Sequence, residues 1–147
     1  MFAATVLTAA EVISIALNVT ILPAPLRWLG TAIAAAGTAV FILAVRTMRD
    51  SWRAGVPDGD KTELVTDGIF SISRNPAFLG FDLVYAGILL MFFSWPLLAV
   101  SAFAAVMFHL QIVNVEEDFL TAAFGEEYVA YRRRVCRHLG RKPASRQ

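Results

Sequence analysis

The residues best suited to chemistry are Arg74, Asn75 and Pro76, which end a polar segment and begin an apolar one. Proline is tolerated at a first helical position because its missing N–H has no partner inside the helix. Asn75 is a favourable N-cap, since its side-chain oxygen can accept from a first-turn N–H. The free N–H groups that remain, from Ala77 and Phe78, would point out of the positive end of the helix. The triplet therefore offers a binding site for a carboxylate or a phosphate, although most such triplets only start helices.

A second group of candidates lies further along the chain, at Glu116 and just before it. His109, Ile112 and Glu116 are spaced i, i+3 and i+7, which predicts one shared face of a helix. Phe78, Asp82 and Tyr85 have the spacing of a face on another helix. If both faces line a cleft, His109 and Asp82 are candidate bases, although an interior histidine and a hydrogen-bonded aspartate near a helix start would look the same.

The composition indicates a membrane protein. Of the 147 residues, 57% are hydrophobic, against the 45–50% that is usual for soluble domains. The charges are segregated, with few in residues 1–48 or 76–115 and most in a central segment and the C-terminal tail. The length predicts one domain, residues 1–147.

The apolar stretches predict an all-α fold, a transmembrane bundle of about four spans with a C-terminal helical extension. Each stretch is nearly long enough to cross a bilayer. The spans are residues 2–22, Leu26–Met48, Leu79–Phe93 and Leu97–Val115, and the last helix is expected to continue to Phe124 and stop at Gly125. Ser94, Trp95 and Pro96 predict a tight turn, so spans three and four are predicted to form an antiparallel hairpin. Gly30, Ala34 and Gly37 mark a packing face of the second span, because small residues let helices approach closely in lipid.

Charge predicts the topology. The tail from Tyr131 to Gln147 carries seven basic residues and no acidic one. Such a tail favours the cytoplasmic side and contact with anionic lipid, and four spans then place both termini in the cytoplasm. Nucleic-acid binding is disfavoured, because aromatic residues are not interleaved with the basic ones and no reader fold is indicated. One cysteine and two histidines offer no metal cluster.

With these motifs in view, the sequence resembles the isoprenylcysteine carboxyl methyltransferase and phospholipid methyltransferase group of integral membrane enzymes. The resemblance covers residues 60–135. It rests on four stretches: Leu64–Phe70, Arg74–Gly80, Glu116–Glu117, and Phe124–Tyr128 with Tyr131.

The resemblance implies S-adenosylmethionine (SAM) as the cofactor. The carried-over residues on the nucleoside side are Thr62, Glu63, Leu64, Val65 and Phe70. Those expected around the methionine end are Asn75, Pro76, Ala77 and Phe78, with Arg74 just before them. Glu116 is expected to hold the ribose or the adenine. The chain departs from the family at three positions. Asn75 stands where the family usually has His, and Phe70 and Phe78 stand where it usually has Tyr.

These observations together predict a SAM-dependent methyltransferase that acts on a lipophilic or membrane-partitioned acceptor. One alternative is a relative of the NADPH-dependent sterol-type reductases, although the polar segment offers few cations for the cofactor's phosphates. The other is a non-catalytic membrane protein that binds lipid or serves as a scaffold. The methyl acceptor and the oligomeric state do not follow from the sequence.

Overall fold

The protein is all-helical over the residues that its structure, a computed structural model, describes: 2–18, 20–49 and 64–141. The helices are α1 (Phe2–Ala16), α2 (Ala24–Met48), α3 (Pro76–Met91), α4 (Trp95–Gln111) and α5 (Glu117–Arg134). A 3₁₀ turn, Gly68–Ser71, precedes α3, and a π-helical turn, Ile112–Glu116, joins α4 to α5. One isolated bridge, Val135–Arg141, is the extent of β-structure in these ranges. The all-α prediction is confirmed.

The span prediction is confirmed in part. Within the described residues two helices are long and apolar enough to cross a membrane, Ala24–Met48 and the continuous stretch Trp95–Arg134. The first predicted span is shorter than expected, because Asn18 has a positive φ of 47°, a left-handed conformation that ends helices. The resulting helix has 15 residues, about 22 Å long, and α3 is similarly short with 16 residues. The number of crossings therefore stays a prediction.

The helical regularity of the extension is broken at Gly125, as predicted. A second helical piece, which was not predicted, follows it and continues to Arg134. Gly125 itself has φ 51° and ψ −126°, outside the helical region, so it interrupts α5 without ending it. Glycine tolerates this positive φ because it has no Cβ.

Helix α3 packs most closely against α2, so the predicted hairpin partner, α4, is not its principal contact. A Cβ on Gly30 would lie 2.6 Å from the Gly87 carbonyl oxygen, and one on Gly37 would lie 2.7 Å from that of Gly80. The two pairs run in opposite order along the chain, so α2 and α3 are antiparallel. The packing face predicted from Gly30 and Gly37 is confirmed.

Helix α4 packs instead against α1, where Leu7, Leu97 and Ala104 form a buried cluster. The predicted turn between α3 and α4 is confirmed: the Ser94 hydroxyl accepts from the Leu97 N–H at 3.3 Å and caps α4. A second cluster, of Ala44 and Phe70 with Tyr128, Tyr131 and Val135, joins α2 to the end of α5 and to the 3₁₀ turn. This second cluster supports the residues around Arg74.

The glycine contact yields a stability prediction. We expect Gly87→Val to lower the free energy of unfolding by about 1–3 kcal/mol, because its Cβ would lie 2.6 Å from both Ala34 N and the Gly30 carbonyl oxygen. Ala86→Val, which adds comparable volume at an exposed position of the same helix, should change little. Thermal unfolding in detergent measures both, and equal effects would show that the α2–α3 contact is not close.

Candidate functional site

The centre of the site is the buried carboxylate of Glu117, at the start of α5. It pairs with Arg137 through two hydrogen bonds, Nε to Oε1 at 2.6 Å and Nη2 to Oε2 at 3.1 Å. Arg74 Nη1 lies 3.2 Å from the same Oε1, and Arg132 Nη1 lies 3.9 Å from Oε2. The side chain of Glu117 is only 6% exposed. Pairing at this level of burial is what offsets the cost of removing a charge from water.

Arg74 is held from several directions. Its backbone N–H donates to the Cys136 carbonyl oxygen at 3.1 Å, and its Nη1 donates to the Tyr128 hydroxyl at 3.1 Å. Its Nε is buried and has no hydrogen-bond partner among the described residues. A buried N–H without an acceptor is uncommon in folded proteins and marks a place where a further acceptor is needed.

Asn75 and Pro76 begin α3 as predicted, but Asn75 does not cap it with its side chain. Its amide Nδ2 donates instead to the Arg137 carbonyl oxygen at 3.5 Å, and its backbone N–H donates to the Ser73 hydroxyl. The first helical hydrogen bond runs from Leu79 N to the Asn75 carbonyl oxygen at 3.1 Å. The N–H groups of Ala77 and Phe78 therefore precede the helical pattern and remain suited to an anion.

The face predicted for His109, Ile112 and Glu116 is wrong. Ile112 is buried, His109 is exposed and Glu116 is half-buried. The reason is the π-helical turn, in which the Glu117 N–H bonds to the Ile112 carbonyl oxygen five residues earlier. One extra residue in this turn rotates the helix beyond it, and it is Glu117 that shares the buried side with Ile112. Glu116 is left beside the site, and among the described residues none forms an ion pair with it.

The two candidate bases lie on different helices, with a histidine of the tail near both. The rings of His109 and His138 are stacked, with centroids 5.8 Å apart and planes at 23°. His138 also interacts electrostatically with Asp82, which is half-buried on α3. His138 thus contacts His109 and lies within electrostatic range of Asp82.

The residues predicted for the nucleoside side are partly in the core. Phe70 is 7% exposed and belongs to the cluster of Tyr128 and Tyr131, with Leu64 and Val65 packed against it. The Tyr131 hydroxyl donates to the Phe70 carbonyl oxygen at 2.6 Å, which fixes the 3₁₀ turn. Thr62 and Glu63 lie outside the described residues. A contact between any of these residues and a cofactor stays a prediction.

Sequence reasoning missed three residues of the site: Glu117, Arg137 and His138. Glu117 belongs to the Glu116–Glu117 pair noted in the sequence, but helical spacing favours Glu116 as the functional residue. Arg137 and His138 belong to the basic tail, which was interpreted as a contact for lipid headgroups. The hydrogen bond to Glu117 raises the pKa of Arg137 above its ordinary value, so this cation has a partner inside the protein.

Comparisons with known proteins identify the family. The model of the phospholipid methyltransferase family matches residues 25–127. Protein-S-isoprenylcysteine O-methyltransferase B of Arabidopsis thaliana is 37% identical over 75 residues, which are 50% of this chain and 37% of that protein. The Schizosaccharomyces pombe protein-S-isoprenylcysteine O-methyltransferase is 31% identical over 72 residues, 49% of this chain and 30% of its own. The aligned region thus spans about a third of the length of these relatives.

A solved structure has a similar fold. The eukaryotic intramembrane Ras methyltransferase ICMT (isoprenylcysteine carboxyl methyltransferase) superposes with a TM-score of 0.78 at 20% identity. The match covers 95% of this chain and 54% of that one. The helical arrangement is therefore shared with an intramembrane protein.

Glu116 and Glu117 are neighbours, but only Glu117 is expected to contribute to stability. We expect Glu117→Gln to destabilise the protein by about 3 kcal/mol, because two buried or half-buried arginines would lose their counter-charge. Glu116→Gln, one residue away and without an ion pair among the described residues, should change stability little. Unfolding of both variants in detergent measures the difference, and equal stability would contradict the central role of the Glu117 ion pair.

Proposed function

Because the chain belongs to the phospholipid methyltransferase family, we propose that it transfers a methyl group from SAM to a lipophilic acceptor at a membrane. The reaction would take place at the end of the bundle formed by the start of α3, the start of α5 and the tail. We place this end, with both chain termini, on the cytoplasmic side, because the basic residues concentrate there.

The observation that carries the proposal is the buried Nε of Arg74, which has no hydrogen-bond partner among the described residues and belongs to the residue just before the N-cap of α3. A carboxylate at this place would accept from the Arg74 guanidinium and from the N–H groups of Ala77 and Phe78. Guanidinium and helix N-terminus both favour an anion, by charge and by geometry. The amino-acid end of SAM carries such a carboxylate, so the residues present fit the cofactor.

The remaining cofactor contacts are inferred from the same placement. Glu116 offers a half-buried carboxylate without an ion pair in the described part of the chain, suitable for the ribose hydroxyls or the adenine. Phe78, half-buried in the first turn of α3, offers an aromatic wall. Thr62, Glu63, Leu64, Val65 and Phe70 remain expected contacts of the nucleoside side.

When bound, SAM supplies a methyl group activated by its sulfonium sulfur. Methyl transfer needs no covalent intermediate with the protein, so the residues have to orient the reactants and exclude water. Arg74 and the start of α3 would fix one end of the cofactor, and Glu116 the other. A histidine of the cluster that contains His109 and Asp82 would accept the proton of an acceptor that must lose one, and Asp82 would help to position it.

The arginines of the site favour an acceptor without a carboxylate. Arg137 uses Nε and Nη2 on Glu117, and Arg74 uses Nη1 on Glu117 and Tyr128. One turn before the glutamate pair the chain has Ile112, which is buried and uncharged. A carboxylate in a site of this kind, without a cation of its own, would face a desolvation cost of several kcal/mol. We therefore propose a lipid amine, phenol or thiol.

Cofactor binding is tested by calorimetric titration with S-adenosylhomocysteine and, separately, with NADPH. We expect only the first to bind. Binding of NADPH alone would favour the reductase alternative, and binding of neither would leave a non-catalytic membrane protein.

A matched pair of glutamates tests the ribose or adenine contact. Glu116→Gln should weaken binding by about ten- to a hundred-fold, since a charge-assisted hydrogen bond to a ligand contributes about 1.5–3 kcal/mol. Glu127→Gln, an exposed change on α5, should leave the affinity unchanged. Equal effects of the two changes would remove Glu116 from the cofactor site.

The acceptor is tested with radiolabelled SAM and a panel of lipid amines, phenols, thiols and prenylcysteine acids. We expect transfer to one or more of the first three classes and little to the acids. Transfer to the prenylcysteine acids alone, as a base-labile methyl ester, would overturn the acceptor assignment while leaving the methyltransferase proposal in place.

A further inference from the structure

The tail segment Cys136–Gly140 is fixed against the residues that lead into α3. The Cys136 carbonyl oxygen accepts from Arg74 N at 3.1 Å, and the Gly140 N–H donates to the Ile72 carbonyl oxygen at 2.6 Å. Between these two bonds, the Arg137 carbonyl oxygen accepts from Asn75 Nδ2, and the Arg137 side chain pairs with Glu117. The backbone on both sides of His138 is therefore held in place.

The His138 imidazole contacts one helix and lies within electrostatic range of another. His109 of α4 stacks on it at 5.8 Å between centroids, and Asp82 of α3 acts on it electrostatically. The other charged group close in the chain, Arg137, is already paired with Glu117. His138 is exposed and Asp82 half-buried, so the imidazole is accessible to a ligand.

From this juxtaposition we infer that His138 is a catalytic residue: it accepts the proton of the methyl acceptor, and Asp82 positions it and stabilises its imidazolium form. The inference rests on the proposed function and deepens it. An imidazole suits this role because it exchanges protons near neutral pH.

The location agrees with this role. Asp82 lies four residues after Phe78, so it projects from the same side of α3 as the first turn, one turn further along. Asn75, beside the proposed carboxylate position, bonds directly to the residue before His138. The imidazole is thus connected to the methionine end of the proposed cofactor site, where the methyl group would be transferred.

In the proposed step the acceptor gives the proton of its S–H, phenolic O–H or ammonium N–H to a ring nitrogen of His138. The lone pair left on the acceptor atom attacks the methyl carbon while the bond from that carbon to the sulfonium sulfur breaks. The electron pair of the broken bond remains on sulfur, which becomes a neutral thioether. The imidazolium then releases its proton to water.

The decisive variant is His138→Gln, whose amide occupies similar space but cannot take up a proton near neutral pH. We expect methyl transfer to an acceptor that is protonated at pH 7 to fall by about 10²–10⁴-fold. Affinity for S-adenosylhomocysteine should stay within about twofold of the wild type. Raising the pH should restore much of the activity, because the acceptor then ionises without the base. His109→Gln should cause a smaller loss, and Leu139→Gln, an exposed change next in the chain, should cause none.

A second methyl acceptor distinguishes the loss of a base from a folding defect in the variant. An aromatic thiol that is already ionised at the assay pH should be methylated by His138→Gln at close to the wild-type rate. Equal losses for the ionised and the protonated acceptor, or a matching loss of S-adenosylhomocysteine affinity, would assign His138 a structural role and overturn the inference. A large loss in His109→Gln with none in His138→Gln would transfer the base to His109. Failure of the wild-type protein to bind S-adenosylhomocysteine would instead refute the proposed function itself.

Discussion

A buried carboxylate needs a counter-charge close by. The Glu117 side chain has two, because it forms ion pairs with two arginines that are distant in the sequence. Arg74 comes from the segment before α3 and Arg137 from the tail after α5. Removing either partner would leave charge uncompensated in a poorly hydrated place, which costs more than the pair itself contributes. The ion pair thus fixes the relative position of three segments, and the unpartnered Nε of Arg74, the start of α3 and His138 take their places from it.

The π-helical turn explains why Glu117, and not its neighbour, fills this role. In an uninterrupted α-helix Glu116 lies four residues from Ile112 and would share its buried side. With the Glu117 N–H bonded to the Ile112 carbonyl oxygen, the extra residue moves Glu117 to that side. Helical periodicity cannot reveal this change, because a π turn is distinguished from an α turn by hydrogen bonding and not by residue type. The prediction failed at the point where the helix departs from regularity.

Much of the scaffold could be predicted from the sequence, because its determinants are local. Apolar length indicated the helices, Ser94 with Pro96 indicated the turn before α4, and the glycines indicated the contact of α2 with α3. The tail could not be predicted in this way. Its contacts join residues more than fifty positions apart, such as Asn75 with Arg137, and a run of basic residues has the same composition whether it contacts lipid or a buried glutamate. Of the site, the start of α3 was therefore predicted and its closure by the tail was not.

Because the tail closes the site, its two arginines are less available to a ligand than the sequence indicates. Counted from the sequence, the arginines at positions 74 and 137 look available for an anionic acceptor, but each has donors committed to Glu117. A cation whose donors are occupied presents less charge and fewer N–H groups to a ligand. The groups that are not committed to Glu117 are the buried Nε of Arg74, the first turn of α3, the half-buried Glu116 carboxylate and the exposed His138 imidazole. That set is suited to hold a zwitterionic cofactor and to remove a proton, and it leaves a second carboxylate without a partner.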